Sequence, residues 1–268
     1  MPLTWIVEPG AFPPRYAKFV DAVRADGHEV VLWHNEWESP DAMPVPGTHH
    51  PVIFHGSLGL AAKFAASPHH RPGAYCNAPL FACSAWYPTA REWLLHRDWK
   101  LLPASELCAT QTEVATLLES PEALFVRPDS PLKPFAGRVL KVGAITLRAL
   151  DHGFYFDDAH LPVIAAPVRK IDGEWRYLVV DRRVVAGSAY LAEGREPIAD
   201  LPSGAPWAFA QSVAQHLEAP EAVYIADICL SNGDYRLLEL NPFSGADPYA
   251  MDPHTIAREV SRVVLRDF

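Results

Sequence analysis

Cysteine is scarce in this chain: four residues in 268, at 76, 83, 108 and 229, with no CxxC pair among them. Neither a thiolate zinc site nor a disulfide framework is suggested, and buried thiols in a reducing compartment are the expectation. No apolar run approaches the ~18 residues of a bilayer span. The opening "MPLTWIVEPG" enters a strand pattern at once, without a targeting segment. A cytoplasmic protein with no membrane partner is therefore expected. The formal charge is −9 and no basic stripe stands out, which argues against a nucleic-acid partner. Repeats and low-complexity tracts are also missing. So is any Ser/His/Asp or Cys/His nucleophile arrangement, leaving no sign of covalent catalysis by a side chain.

What is present is an ordinary globular composition, 49% hydrophobic and 21% charged, with 26 prolines pointing to many rigid turns. "LTWIVE", "PPRYAKFVDAVRADGH" and "EVVLW" read as strand, helix, strand, with Gly27 at the helix C-terminus. Such a βαβ unit implies a parallel sheet. "PVIFHG" and "SLGLAAKFAAS" repeat the theme with Ser57 as N-cap, and helices are expected at 84–96 and 111–119. Glu8 and Ser57 lie where open α/β sheets place ligands, but an ordinary turn and a plain cap explain them as well. From about 122 onward strands dominate, an α+β arrangement. The expected division is 1–120 and 121–268, near Pro121. His49-His50 and His69-His70 sit in Pro-rich loops with no third ligand at zinc spacing, and are expected to be solvated.

The most informative stretch is "VYIADICLSNGDYRLLELNPF" (223–243), two strands around Asn232-Gly233, a strong hairpin signal. A two-residue turn would set Asp227 opposite Leu238. A three-residue loop, Asn232-Gly233-Asp234, sets it opposite Glu239. The second register gathers Ala226, Ile228, Leu230, Leu238 and Leu240 on one face and Asp227, Glu239 and Asn241 on the other. It is therefore the expected one. Two carboxylates directly opposite repel. A divalent cation would offset this, and an all-oxygen set of Asp, Glu and Asn suits Mg²⁺. Two solvated acids, or acids paired with arginine, are alternatives.

That hairpin with "ELNPFSGAD" resembles the C-terminal metal-binding element of the ATP-grasp superfamily. "LFVRPDSPLKPFAG" (124–137) resembles its phosphate-covering strand and loop. "IDGEWRYLVVDRRVVAGSAY" (171–190) resembles the strand pair after its adenine-binding hinge. The three occur in the family's order, over about 121–268. The nearest resemblance is to the clade marked by an arginine and two lysines, thought to join amino acids or peptides to carboxylates. Arg127 stands where most of the superfamily has lysine, and the phosphate loop has one glycine, Gly137, and two prolines.

The resemblance implies an N-terminal α/β domain, βαβ and pre-ATP-grasp-like, followed by an α+β ATP-grasp domain with two β-rich lobes and ATP between them. It implies Mg²⁺ on Asp227, Glu239 and Asn241. Arg127, Lys133 and Arg176 would act on the transferring phosphoryl group. Lys141 or Lys170, the hinge "VIAAPVRKI" around Val168, and Glu174 would serve the nucleotide. Arg176, Ser188 and Tyr190 would face the substrate, a small molecule or peptide. Ser188 and Tyr190 share the Arg176 face only if the turn at Asp181-Arg182-Arg183 has three residues. The implied activity is a carboxylate–amine ligase working through an acyl-phosphate. A non-catalytic nucleotide-binding module, a phosphotransferase or thioester-forming enzyme, and a metal-dependent hydrolase are the rivals.

Overall fold

Short runs of β-branched and aromatic residues build the first sheet. Thr4–Val7 (β1), Glu29–Leu32 (β2), Val52–His55 (β3) and Pro72–Gly73 (β4) pair in parallel in the order β2-β1-β3-β4. Helix Pro13–Ala25 (α1) starts on two prolines, which a helix tolerates only in its first turn. It ends before Gly27, whose φ of +83° few other residues adopt readily. Helix Leu58–Ala66 (α2) follows β3. The computed structural model describes residues 2–37, 39–43, 50–151, 158–190, 197–200 and 203–268.

Residues 78–171 form one compact unit. It contains Ala78–Phe81 (α3), Cys83–Ala90 (α4), Lys100–Pro103 (β5), Ala104–Leu117 (α5), Ala123–Pro128 (β6), Arg138–Lys141 (β7), Leu147–Asp151 (α6) and Pro162–Pro167 (β8). The four strands form an antiparallel sheet, β5-β8-β6-β7. Leu107, Val114, Leu124, Val126, Val163 and Ala165 share its core. The compact units thus divide elsewhere than at 120/121, because β5 pairs with β8 and α5 packs on the same sheet. The helix expected at 84–96 ends at Ala90, and the one expected from 111 begins at Ala104 and kinks at Thr110.

The second unit joins residues 1–77 to 172–268. Its later part comprises Gly173–Val180 (β9), Arg183–Tyr190 (β10), Ile198–Asp200 (β11), Ala205–His216 (α7), Val223–Ser231 (β12), Asp234–Pro242 (β13) and Pro253–Asp267 (α8). The strands pair antiparallel in the order β11-β10-β9-β12-β13. Leu178, Val180, Val223 and Ile225 pack with Trp5 and Phe19 from the first sheet and its helix, and with Ile256, Val260 and Val264 of α8, in one core. Helix α8 is capped by Asp252, whose carboxylate accepts from the His254 and Thr255 amides. Among the described residues no helix is long and apolar enough to cross a membrane.

Both hairpins here correct the sequence reading in the same way. The β12–β13 turn has two residues, not three: Ser231 pairs with Asp234 across Asn232 (φ +52°) and Gly233 (φ +85°), the positive angles a type I′ turn requires. The extra residue sits in the strand instead. Register shifts between Asp227–Glu239 and Ile228–Leu237, leaving Leu238 as a β-bulge. Leu237, fully buried, therefore takes the core place expected for Leu238, which is half-buried. At β9–β10, Asp181 and Arg182 (φ +48° and +63°) form the turn, and Val185 is the bulged residue.

Candidate active site

The two bulges align one row of side chains across four strands. Ser188 on β10 pairs with Arg176 on β9, Arg176 with Asp227 on β12, and Asp227 with Glu239 on β13. Paired residues share a face, so all four point the same way. Asp227 is 3% exposed and Arg176 8%. Arg176 Nε donates to Asp227 Oδ1 and Nη2 to Oδ2, both at 2.8 Å, a bidentate charge-assisted pair. Asn241 Nδ2 adds a bond to Asp227 Oδ2 at 2.9 Å. Burial alone would lower the Arg176 pKa, but Asp227 more than offsets this and holds the guanidinium charged. The buried acid is thus neutralised by arginine, the alternative the sequence left open, and its burial needs no cation.

Next to this row, Glu174 accepts a hydrogen bond from the Tyr190 hydroxyl. Burial raises the Glu174 pKa, and the Asp227 and Glu239 charges push the same way against Tyr190 and Arg176. The Ser188 hydroxyl is fully buried, donating to the Ile198 carbonyl and accepting from the Ala250 amide, both at 3.2 Å.

Three residues that the sequence reading did not single out complete this constellation. Arg176 Nη1 donates to the Asp247 carbonyl at 3.0 Å, and its guanidinium carbon lies 4.5 Å from the Tyr249 ring centroid. Arg15 of α1 donates to Asp247 Oδ2 at 3.1 Å and to the Tyr249 carbonyl at 2.6 Å. Asp247 stood inside "ELNPFSGAD", and its nearness to the acid pair was the available signal. Arg15 had none, being more than two hundred residues away in sequence.

In the 78–171 unit, Phe125 and Arg127 share a face of β6, and Val139 and Lys141 of β7 lie on that face by register. Arg127 is 8% exposed, whereas Lys133, Lys141 and Lys170 are exposed. His96 stacks on Phe125 with ring centroids 4.7 Å apart. Burial first, then the Arg127 and Arg169 charges, pushes the His96 pKa down to about 4. Arg169, beside Lys170, was overlooked. Lys133 adopts φ +50° in a turn where its amide donates to the Ser130 carbonyl at 3.3 Å. Val168, 41% exposed, donates its amide to Ser120 Oγ at 3.5 Å. A Cβ on Gly137 would come within 2.9 Å of the Phe125 ring, so the loop can pass this close to β6 only with glycine there.

Other expectations resolve locally. The anion at the start of α2 is the chain's own Glu8, whose carboxylate accepts from the Ser57 amide at 2.6 Å. His70 is buried against Ser67 and Phe64 rather than solvated, and His49 lies outside the described residues. All four cysteines are free thiols.

The donor set Asp227, Glu239 and Asn241 fits a hard cation in kind, since all three offer oxygen. Three hydrogen bonds to Asp227 leave part of its lone-pair capacity open. Among the described residues no group of three His, Cys, Asp or Glu side chains is arranged to hold a metal. With two carboxylates and an amide, an ion here would complete its shell with phosphate or water oxygens, which is ordinary for Mg²⁺.

The whole chain shares its fold with ATP-grasp ligases. D-cycloserine synthetase DcsG superimposes with a TM-score of 0.63 at 13% identity, over 98% of this chain and 100% of that one. A RimK domain ATP-grasp protein from Sphaerobacter thermophilus gives 0.60 at 13%, over 96% and 99%. The macrocyclase MdnC from Microcystis aeruginosa, bound with precursor peptide MdnA, gives 0.57 at 13%, over 98% and 100%. No curated protein matches in sequence. Residues 108–258, more than half of the chain, match the ATP-grasp domain of family 2 in the clade named for one arginine and two lysines. The chain belongs to that family.

Proposed function

We propose that this protein is an ATP- and Mg²⁺-dependent ligase that joins a carboxylate to the amine of an amino acid or peptide through an acyl-phosphate. The observation that carries this reading is the charged row of the five-stranded sheet. There one buried guanidinium is paired with Asp227 and feels the charges of Glu174 and Glu239, and Asn241 donates to Asp227. Asp227, Glu239 and Asn241 present an all-oxygen donor set on one face of two paired strands, which suits a hard cation. Asp227, Glu239 and Asn241 would hold Mg²⁺, which when bound neutralises phosphate charge. Arg127 and Lys133 offset the charge of the polyphosphate, while Lys141, Lys170, Glu174 and the backbone at Val168 contact the nucleoside side. Arg176 steadies the phosphoryl oxygens.

In the reaction a substrate carboxylate oxygen takes the γ-phosphoryl group and ADP departs. The amine nitrogen then attacks the acyl carbon, loses a proton, and expels phosphate. Positioning and electrostatics carry such transfers, so no nucleophilic side chain is required. Peptide acceptors are included because MdnC, of similar fold, was solved with a precursor peptide. We place the enzyme in the cytoplasm, where ATP is available and its four free thiols stay reduced.

The test is calorimetric titration of ATP with and without Mg²⁺, then a screen of amino acids and peptides for ADP release and amide product. Binding should depend on Mg²⁺, lose that dependence in Glu239→Gln, and weaken about tenfold or more in Lys133→Ala. Undiminished nucleotide affinity in both variants refutes the site. Phosphorylated product without amide refutes the ligase.

A further inference from the structure

The Arg176 guanidinium is not fully committed. It carries five N–H groups, of which Nε and one on Nη2 serve Asp227 and one on Nη1 serves the Asp247 carbonyl. The second N–H of Nη1 and that of Nη2 meet no acceptor among the described residues. With the side chain only 9% exposed, those two groups call for oxygen acceptors from a ligand or from water. Where they aim depends on what fixes the guanidinium plane.

Asp227 holds one edge of that plane, and the turn at 247–249 holds the remainder. The Asp247 carbonyl accepts from Nη1 at 3.0 Å, and the Tyr249 ring centroid lies 4.5 Å from the guanidinium carbon. The turn is strained, because Tyr249 has a φ of +52°, sparsely populated for an aromatic residue. Such a conformation persists only where its surroundings over-determine it. Asp247 Oδ1 accepts from the Tyr249 amide at 2.8 Å, a bond inside the turn. Both ends are then tied by a side chain from α1. Arg15 Nη1 donates to Asp247 Oδ2 at 3.1 Å, and Arg15 Nε donates to the Tyr249 carbonyl at 2.6 Å. The Arg15 guanidinium carbon also sits 5.6 Å from the Tyr249 ring centroid. Arg15 and Asp247 match in charge, so the pair recruits no ligand of its own.

We propose that Arg15 is a positioning residue for phosphoryl transfer. It braces the 247–249 turn, and the turn aims the two uncommitted N–H groups of Arg176 at the oxygens of the transferring phosphoryl group. This rests on the ligase reading, in which Arg176 meets those oxygens. The first helix of the chain thereby acts on the chemistry through one side chain. Lysine cannot replace it, since a single ammonium lacks the planar fork that reaches Asp247 and Tyr249 together. Without Arg15 the Ala250 amide still donates to Ser188 Oγ and Met251 stays in the core, so the turn loosens while the chain remains folded.

The test is calorimetry on the full chain with Mg²⁺, comparing ADP alone with ADP plus aluminium fluoride, a mimic of the phosphoryl group in transfer. Arg15→Met should leave ADP affinity unchanged and weaken the aluminium fluoride complex about tenfold, and Arg15→Lys should stay nearly as weak. Arg176→Lys keeps a charge beside Asp227 but lacks the fork, and in that background Arg15→Met should add little, because both changes remove one aim. An unchanged complex in Arg15→Met, full recovery in Arg15→Lys, or additive losses in the double variant overturns the positioning role. A general loss of ADP affinity in Arg15→Met would mean a structural role and overturns it too. Failure of the unaltered chain to bind ADP refutes the ligase reading and this role with it.

Discussion

Replacing Arg176 with methionine tests whether the guanidinium or a metal is the structural counter-charge of Asp227. The Arg176 and Asp227 side chains are 9% and 4% exposed, so solvent screens their pair little. In Arg176→Met, Asp227 keeps only the Asn241 bond and stays opposite Glu239. Removing one partner of a buried pair typically costs about 3–5 kcal/mol. The double variant Arg176→Met/Asp227→Leu should recover most of that loss, because it buries no unpaired charge. Urea denaturation midpoints measure all three proteins. A Mg²⁺ titration of Arg176→Met adds a second readout: an ion on Asp227 and Glu239 takes over the lost charge, restoring about 2.7 kcal/mol at a hundredfold excess over Kd. A loss below about 1 kcal/mol in Arg176→Met would refute the arginine as counter-charge. An absence of Mg²⁺ rescue would refute Asp227 as a ligand.

Acid should destabilise the fold through two histidines. His55 and His96 are buried neutral with pKa values lowered to about 4, chiefly by desolvation. Between about 4 and 6.5 the unfolded chain binds protons that the folded chain does not, so stability falls as pH falls, by up to about 3 kcal/mol per ring. Denaturation midpoints from pH 7 to 4.5 should flatten in His55→Phe/His96→Phe. Glu8→Ala should lower stability by about 1–2 kcal/mol, because its 2.6 Å bond to the Ser57 amide satisfies the start of α2; an unchanged thermal midpoint refutes this. Gly233→Ala should cost about 1 kcal/mol, since its φ of +85° strains any side chain; a neutral outcome would mean that the turn rearranges. Deletion of Leu238 should leave Glu239 opposite Asp227 and keep Mg²⁺-dependent nucleotide binding, because Ile228 stays paired with Leu237; loss of that binding would mean that the bulge itself aims Glu239.

The facial sorting of the 223–243 hairpin was legible because a buried sheet face permits one parity. What parity cannot show is where an odd residue is inserted. A three-residue loop and a two-residue turn with a bulge place Asp227, Glu239 and Asn241 alike and differ only over 234–238, where backbone geometry decides whether Asp234 or Leu238 is the extra residue. The partner of Asp227 was hidden for another reason. Reading one hairpin supplies one neighbour per strand, whereas β12 also pairs with β9, and Arg176 lies 51 residues away. The strands at 100–103 and 198–200 escaped because both are short runs that lack clear alternation. Tyr249 could not be found from pattern at all, since its place depends on Arg15 and Asp247 converging from distant elements.

The two bulges have a common consequence for chemistry. Each flanks a strand of the central β9–β12 pair and shifts parity once, Val185 on β10 and Leu238 on β13. Without the first, Ser188 and Tyr190 would leave the Arg176 face. Without the second, Glu239 and Asn241 would turn into the opposite, apolar face. Tight type I′ turns match strand twist but fix register, so placing polar residues on one face over four strands requires correction inside the strands. Bulges re-aim side chains next to active sites. That both occur beside this row, with the strained Tyr249 adjoining it, argues that the arrangement is maintained for ligand chemistry rather than for stability alone.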